Sequence, residues 1–455
     1  MIRYSLFIMC IVLFSCGDDG PGYQEPYIPG SDDDPVVITP LSDEEMMDLT
    51  QKETFKYFWD FANADSGAAK ERYHPNEPTL NQNVVTSGAT GFGLMSIIVA
   101  IERGFITRAQ GIERLNKIFN FLENADRFHG AWSHWINGSS GNVIPFSAKD
   151  DGGDLVETAF LVQGLICVKE YLKNGSDTEK ALATKADILW KGVQWNWYTQ
   201  NQEALYWHWS PNFGFEINLK LTGYNEVLIT YILAAASPDY SITKATYEKG
   251  WARSGAIVSG ASQYGFPLVL NHAGGSNFGG PLFFSHYSFL GLNPKNLSDQ
   301  YGNYWNVVVN HTKINRQYCI VNPKNYIGYS ANTWGLTASY SRNADGSRGY
   351  AAHSPSNDKG VVSPTAAISS IPYTPNESLK VMHYLYQNKD KMLGPAGFYD
   401  AFSPHYDFWV TQTYLGIDQG PQIVMIENHR TGLLWNLFMQ NENVKNGLDK
   451  LGFNY

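Results

Sequence analysis

An all-α fold, an (α/α)6 toroid or barrel of alternating inner and outer helices, is the class this sequence predicts, and three observations predict it. Helical patterning runs from about Ser42 onward, with no recurring period-2 strand series. The helical segments are of two kinds that alternate, roughly six of each. The loops between them are rich in Gly, Pro, Asn and aromatic residues, and most lead into the more apolar kind.

The chain starts with residues 1–15 patterned as a signal peptide: Arg3 is the only charge, and an apolar run from Tyr4 to Phe14 is too short for the roughly 20 residues of a membrane span. Leu13-Phe14-Ser15-Cys16 looks like a bacterial lipobox, which makes Cys16 the expected lipid anchor and the outer membrane, facing the cell surface or the periplasm, the expected location. Residues 16–40 carry five prolines and two acidic clusters, Asp18-Asp19 and Asp32-Asp33-Asp34, and are expected to form a disordered tether. Residues 41–455 are expected to form a single domain.

Within that domain, residues 43–63, 107–125, 177–199, 299–320, 376–390 and 443–451 are amphipathic and charged, as an outer layer would be. Residues 88–102, 154–172, 223–236, 333–339, 363–370 and 420–439 are apolar almost all round and open on Gly, Asp, Ser or Thr, as helices covered on every side would. The informative loops are 130–147, 206–215, 274–281, 340–360 and 394–407. In a toroid the inner-helix starts converge at one end of the axis, so carboxylates placed there share one pocket.

Composition narrows the ligand. The 455 residues carry 33 basic against 43 acidic side chains, net −10, with no basic block, which argues against a nucleic-acid partner. Aromatic residues make up 14% and charged residues only 17%, a balance suited to neutral ligands and to stacking on sugar rings. Cys167 and Cys319 lack metal-ligand spacing and are expected as two buried thiols. No metal, no cofactor and a monomer are expected.

Carboxylates are the remaining chemistry, since Walker, Rossmann, HExxH and Gly-x-Ser-x-Gly signatures are all missing from the sequence. Asp154 and Glu157 lie three residues apart at the start of an inner segment; an N-cap Asp with Glu at N3 is equally a capping box. Glu226 is the only acid of its apolar segment, where burial favours a proton donor. Asp418 precedes Gly420-Pro421, and Asp400 competes with it from a nearby loop. Glu427 and Arg430 are expected to pair with each other. Trp132, His134, Trp135, Trp207, His208, Trp209, His286, Tyr287, Trp334, Tyr399 and Asp400 are the candidate sugar contacts.

Five pieces in fixed order carry a resemblance: Gly153-Asp154-Leu155-Val156-Glu157-Thr158-Ala159-Phe160, Gly223-Tyr224-Asn225-Glu226, Phe283-Phe284-Ser285-His286-Tyr287-Ser288-Phe289-Leu290-Gly291, Gly397-Phe398-Tyr399-Asp400-Ala401-Phe402 and Ile417-Asp418-Gln419-Gly420-Pro421. They resemble the glucoamylase-like family of bacterial glycosidases, specifically glycoside hydrolase family 144, whose members act on β-1,2-glucans. The resemblance implies the toroid and hydrolysis with inversion, with Asp154, Glu157, Glu226 and, less closely, Asp418 as essential acids. The expected activity is endo cleavage of β-1,2-glucan or release of sophorose. The alternatives are an α-glucan hydrolase, a non-catalytic glycan-binding lipoprotein, and a polysaccharide lyase, which the scarcity of Lys and Arg in the loops disfavours.

Overall fold

Helix termini are written clearly in this chain. The computed structural model describes residues 41–273 and 277–455, so the expectations for Cys16, the leader and the tether lie outside the described residues. Helices α1 (Asp43–Trp59), α3 (Arg108–Asn124) and α5 (Asp177–Lys191) each start on a Ser or Thr whose hydroxyl accepts the N3 amide, while the Glu or Gln at N3 reaches back to the cap nitrogen. Their buried residues recur at helical spacing, as Leu115, Ile118, Phe119 and Leu122 do in α3.

Helices α2 (Ser87–Glu102) and α4 (Leu155–Leu172) are buried along almost their whole length and pack on each other. Two glycines set how closely they cross. A Cβ at Gly91 would lie 2.3 Å from the Phe160 carbonyl oxygen, and one at Gly164 would lie 2.3 Å from that of Gly91. Backbone meets backbone there, so any side chain would push the helices apart. The helix Gly416–Arg430 packs on the other side of α2, and α6 (Leu228–Ala236) lies against α4 and the helix Glu442–Leu451. The remaining longer helices are Tyr304–Val321 and Pro375–Gln387. Ser42–Tyr455 forms one unit. Cys167 and Cys319 are buried and unbridged.

Four segments depart from the sequence expectation. The helix expected over 223–236 begins only at Leu228: Gly223 sits at φ +79°, and the Asn225 side chain accepts the Val227 amide at 3.1 Å, holding Glu226 in a turn. Residues 333–339 are not helical, because Gly335 takes φ +122° and Ala338–Arg342 pairs with Arg348–Ala352 in a hairpin. Residues 420–439 belong to two helices, Gly416–Arg430 and Leu433–Met439, divided at Gly432 with φ +72°. Finally, Leu282–Ser285 and Tyr287–Phe289 are buried 3-10 turns that the sequence pattern did not mark.

Glu427 and Arg430 do not pair with each other. Glu427 takes a two-pronged bond from Arg103 at 2.7 and 2.9 Å, and Arg430 reaches Glu44 and Asp48 on α1. Both tie the last long inner helix to its neighbours.

Candidate active site

The helix starts and the loops around them enclose a cavity of about 380 Å3. Glu157, Glu226, Glu71 and Arg72 supply its charged groups, and Trp135, Phe146, Phe160, Trp207, Phe283, Tyr287 and Tyr350 supply most of the aromatic wall, with His134 between them. A wider surface depression of about 740 Å3 lies between α3 and α5; its paired Arg108–Glu179 shows no comparable clustering of acids.

Asp154 caps α4. Its Oδ1 accepts the amides of Val156 and Glu157 at 3.0 and 2.9 Å. Only half of a capping box forms, because the Glu157 carboxylate does not return to the cap; its Oε2 instead accepts the Gly88 amide at 2.9 Å. Gly88 is required by that contact: a Cβ there would lie 2.3 Å from Glu157 Oε2. The Gly-rich start of α2 thus makes room for a carboxylate from α4.

Around this pair lies a charge network. His134 Nδ1 is 3.0 Å from Asp154 Oδ2, and His208 Nε2 is 3.2 Å from Asp150 Oδ2 and 3.7 Å from Asp154 Oδ2. Burial alone would strip the proton from His134, but Glu157, Asp154 and Asp150 outweigh it and raise its pKa to about 9. Asp154 is held below the usual carboxylate range: burial opposes its charge, and His134, His208 and the helix amides prevail. Burial pushes Asp150 up to about 7, with Asp154 adding to the effect. Asp150, Asp154 and His208 also have the mutual spacing of metal ligands. Asp154 already has one oxygen on two amides and the other on His134, while His208 Nδ1 is buried with no hydrogen-bond partner among the described residues.

Glu157 and Glu226 differ from that network in being raised at the cavity wall. Burial pushes Glu157 up to about 7, with His134 opposing and Asp154 adding. Burial likewise pushes Glu226 up to about 7, and the negative charge of Glu157 and Asp154 adds to it. Glu226 Oε2 and Trp135 Nε1 are buried with no hydrogen-bond partner among the described residues. An acid and a donor left unpaired on an aromatic cavity wall suit a ligand bearing hydroxyl groups.

A second carboxyl pair lies behind the wall. Tyr287 donates to Asp418 Oδ1 at 3.3 Å, and the Tyr340 amide donates to Asp400 Oδ2 at 2.8 Å. The remaining oxygens, Asp400 Oδ1 and Asp418 Oδ2, are both buried and have no other donor. The two carboxyls lie close enough to act on each other's charge. Burial raises both, Asp400 to about 6 and Asp418 well above its ordinary value, and each raises or is eased by the other.

Of the residues singled out from sequence, Glu157, Glu226, His134, Trp135, Trp207 and Tyr287 line the cavity. Asp154 and His208 stand directly behind its acids. Asp418 and Asp400 do not line it; Tyr287, which does, is bonded to Asp418. Three expected sugar contacts are corrected, and two others lie outside the cavity lining. Trp132 is core, its ring under Arg127 and its Nε1 bonded to the Leu122 carbonyl. Trp334 and His286 are fully buried, the latter bonded to Ser370. Tyr399 packs on Tyr414. Trp209 joins an aromatic cluster elsewhere.

Glu71, Arg72, Phe146, Phe160, Phe283 and Tyr350 were missed as lining residues. Phe146 and Tyr350 lie in loops whose composition already marked them, and Phe160 and Phe283 lie in the motif pieces. Glu71 and Arg72 had no such signal: Arg72–Tyr73 reaches the site by pairing with Tyr414–Leu415.

Comparison with known proteins places this geometry. Residues 218–442 match the family model Glycoamylase (putative glucoamylase). The chain is 44% identical over 435 residues to an exo β-1,2-glucooligosaccharide sophorohydrolase (non-reducing end) from Parabacteroides distasonis; the match takes in 90% of this chain and spans 58% of that relative's length. It is 54% identical to the solved endo-β-1,2-glucanase from Chitinophaga pinensis, in complex with sophorotriose and glucose, with a TM-score of 0.88, covering 91% of this chain and 99% of that one. The likeness of fold extends to an endo-β-1,2-glucanase from Talaromyces funiculosus, 12% identical with a TM-score of 0.68, covering 90% of this chain and 91% of that one. With identity above half across nearly the whole of a solved relative, the chain belongs to the glucoamylase-like family of glycosidases.

Proposed function

We propose that the protein is a glycoside hydrolase that cleaves β-1,2-glucan, by endo attack or by release of sophorose, with inversion of configuration. The observation that carries this reading is the pair Glu157 and Glu226: two acids raised to about 7, one with a free oxygen, on one aromatic cavity wall. The 44% and 54% identical relatives named for β-1,2-glucan supply the linkage.

Inversion needs a protonated acid for the leaving oxygen and a carboxylate to activate water. Glu226 suits the acid, since no cation or amide donor from another residue holds its charge. Glu157 suits the base, since the Gly88 amide and protonated His134 favour its carboxylate. Asp154 orients His134 and fixes the start of α4, which places Glu157. Asp418, raised well above the usual carboxylate range by burial and by Asp400 beside it, is unsuited to act as a base. The (α/α)6 toroid is the arrangement that best accounts for α2, α4 and Gly416–Arg430 packing as buried neighbours behind amphipathic helices. The lipobox at Cys16 supports placement as an outer-membrane lipoprotein.

The test is a reducing-end assay on β-1,2-glucan and starch in parallel. Release from β-1,2-glucan alone is expected; release from starch alone would turn the reading into the α-glucan alternative, and release from neither into a binding protein.

A further inference from the structure

Outside the cavity, His129, Trp197 and Trp209 form a second aromatic array. The His129 ring lies flat on Trp197, centroids 3.8 Å apart and planes 15° apart, and edge-on to Trp209 at 4.6 Å and 88°. Trp197 is 43% exposed. Leaving that much of the largest apolar side chain in water forfeits burial that the core gives to Trp132, Trp190, Trp195, Trp251, Trp334 and Trp435.

The array is held rigidly. His129 takes φ +49°, a left-handed conformation unfavourable for a residue with a side chain, and Gly130 follows at φ +80°. A Cβ on Gly130 would lie 2.0 Å from the Gly192 carbonyl oxygen, so this turn is seated on the end of α5. The His129 carbonyl accepts the Gln194 amide at 3.0 Å, and Tyr198 donates to the Phe128 carbonyl at 2.7 Å. Trp195 and Tyr198, both buried, flank Trp197 in the turn Trp195–Thr199 and anchor its backbone. An indole fixed before binding loses little entropy when a ligand covers it.

The surroundings indicate the ligand's chemistry. From residue 192 to 202 the chain has no charged side chain, and Gln194, Asn196, Gln200, Asn201 and Gln202 offer amides that are exposed or half-buried. A flat aromatic face rimmed by neutral donors and acceptors suits a neutral polyhydroxylated chain and neither an anion nor a lipid surface. The array is also continuous with the cavity: Trp207 lies in the cavity wall, and Trp209 follows two residues later, paired with Gly153 beside Asp154.

We propose that Trp197 and His129 form a non-catalytic surface site that binds a stretch of the same glucan whose cleavage is assigned to the cavity, keeping long chains close to it. The proposal rests on the β-1,2-glucan reading. It is tested by binding of long-chain β-1,2-glucan to Glu226→Gln and to Glu226→Gln/Trp197→Ala, alongside turnover of a short β-1,2-glucooligosaccharide by wild type and Trp197→Ala. The expected result is about tenfold weaker binding of the long chain with short-substrate kcat/KM unchanged. Unchanged long-chain binding, or an equal loss on long and short substrates, would overturn the surface site. His129→Ala, which removes the stacked ring beneath the indole, should reproduce the effect; a normal long-chain affinity in that variant would also count against it. Wild type that cleaves no β-1,2-glucan would instead overturn the substrate reading, so the two failures are distinguishable.

Discussion

Two of the acid pairs withdrawn from solvent among the described residues are built for opposite ends. Asp400 and Asp418 are buried, do not line the cavity, and are both raised by that burial, with Tyr287 of the cavity wall bonded to Asp418. Glu157 and Glu226 sit on the cavity wall, do not satisfy each other, and one oxygen of Glu226 stays without a partner. The same burial thus yields a structural link in one place and reactivity in the other. What separates them is whether the acids line a cavity that a ligand can enter.

The largest effects should come from breaking the open pair. Glu226→Gln and Glu157→Gln are each expected to lose about 10²-fold or more in kcat with an unchanged melting temperature, since each removes a proton-transfer group but keeps its shape. Near-normal turnover in either, with the fold intact, would remove that residue from the reaction.

Gly88→Ala sharpens the comparison without touching an acid. Its Cβ would fall 2.3 Å from Glu157 Oε2, so the carboxylate must shift by about 1 Å, enough for a loss on the order of 10²-fold. Steady-state kinetics should show the fall mainly in kcat. A fully active Gly88→Ala would mean that the position of Glu157 is not set by this contact.

The closed pair should respond in stability more than in rate. Asp400, raised to about 6, and Asp418, raised further, keep protons that the unfolded chain releases near pH 4. Native stability from this pair is therefore fully present below the unfolded pKa and declines as pH rises through 6 and beyond. Asp418→Asn leaves one ionisable group fewer, so melting temperature measured from pH 5 to 9 should fall less steeply than in wild type, with kcat within about tenfold. A steeper fall would show that Asp418 is charged in the native protein.

The two pairs were not equally legible in the sequence. Asp154 and Glu157 could be read because an N-cap and its N3 residue are fixed by spacing, and α4 begins where that spacing places it. Glu226 could be identified as a lone acid in an apolar run, but its turn could not, because Gly223 and Asn225 override the apolar pattern. Asp418, expected just before a helix beginning at Gly420, lies in the first turn of Gly416–Arg430, which starts four residues earlier. Which of Leu415, Ile417 and Asp418 faces the cavity depends on how that helix is rotated against α2, a tertiary fact. Trp132, Trp334 and His286 mislead for the same reason: aromatic residues mark a loop as notable without saying which of them fill the core. Glu71 and Arg72 are brought in from far along the chain by pairing with Tyr414–Leu415, a contact with no local signature.

The account's central claim, that Glu226 protonates the leaving oxygen while Glu157 activates water, is tested most directly by the anomeric form of the first product. NMR of β-1,2-glucan digestion before mutarotation should show the α-anomer appearing first. Initial accumulation of the β-anomer would mean a covalent glycosyl-enzyme and would contradict the roles assigned to the two glutamates.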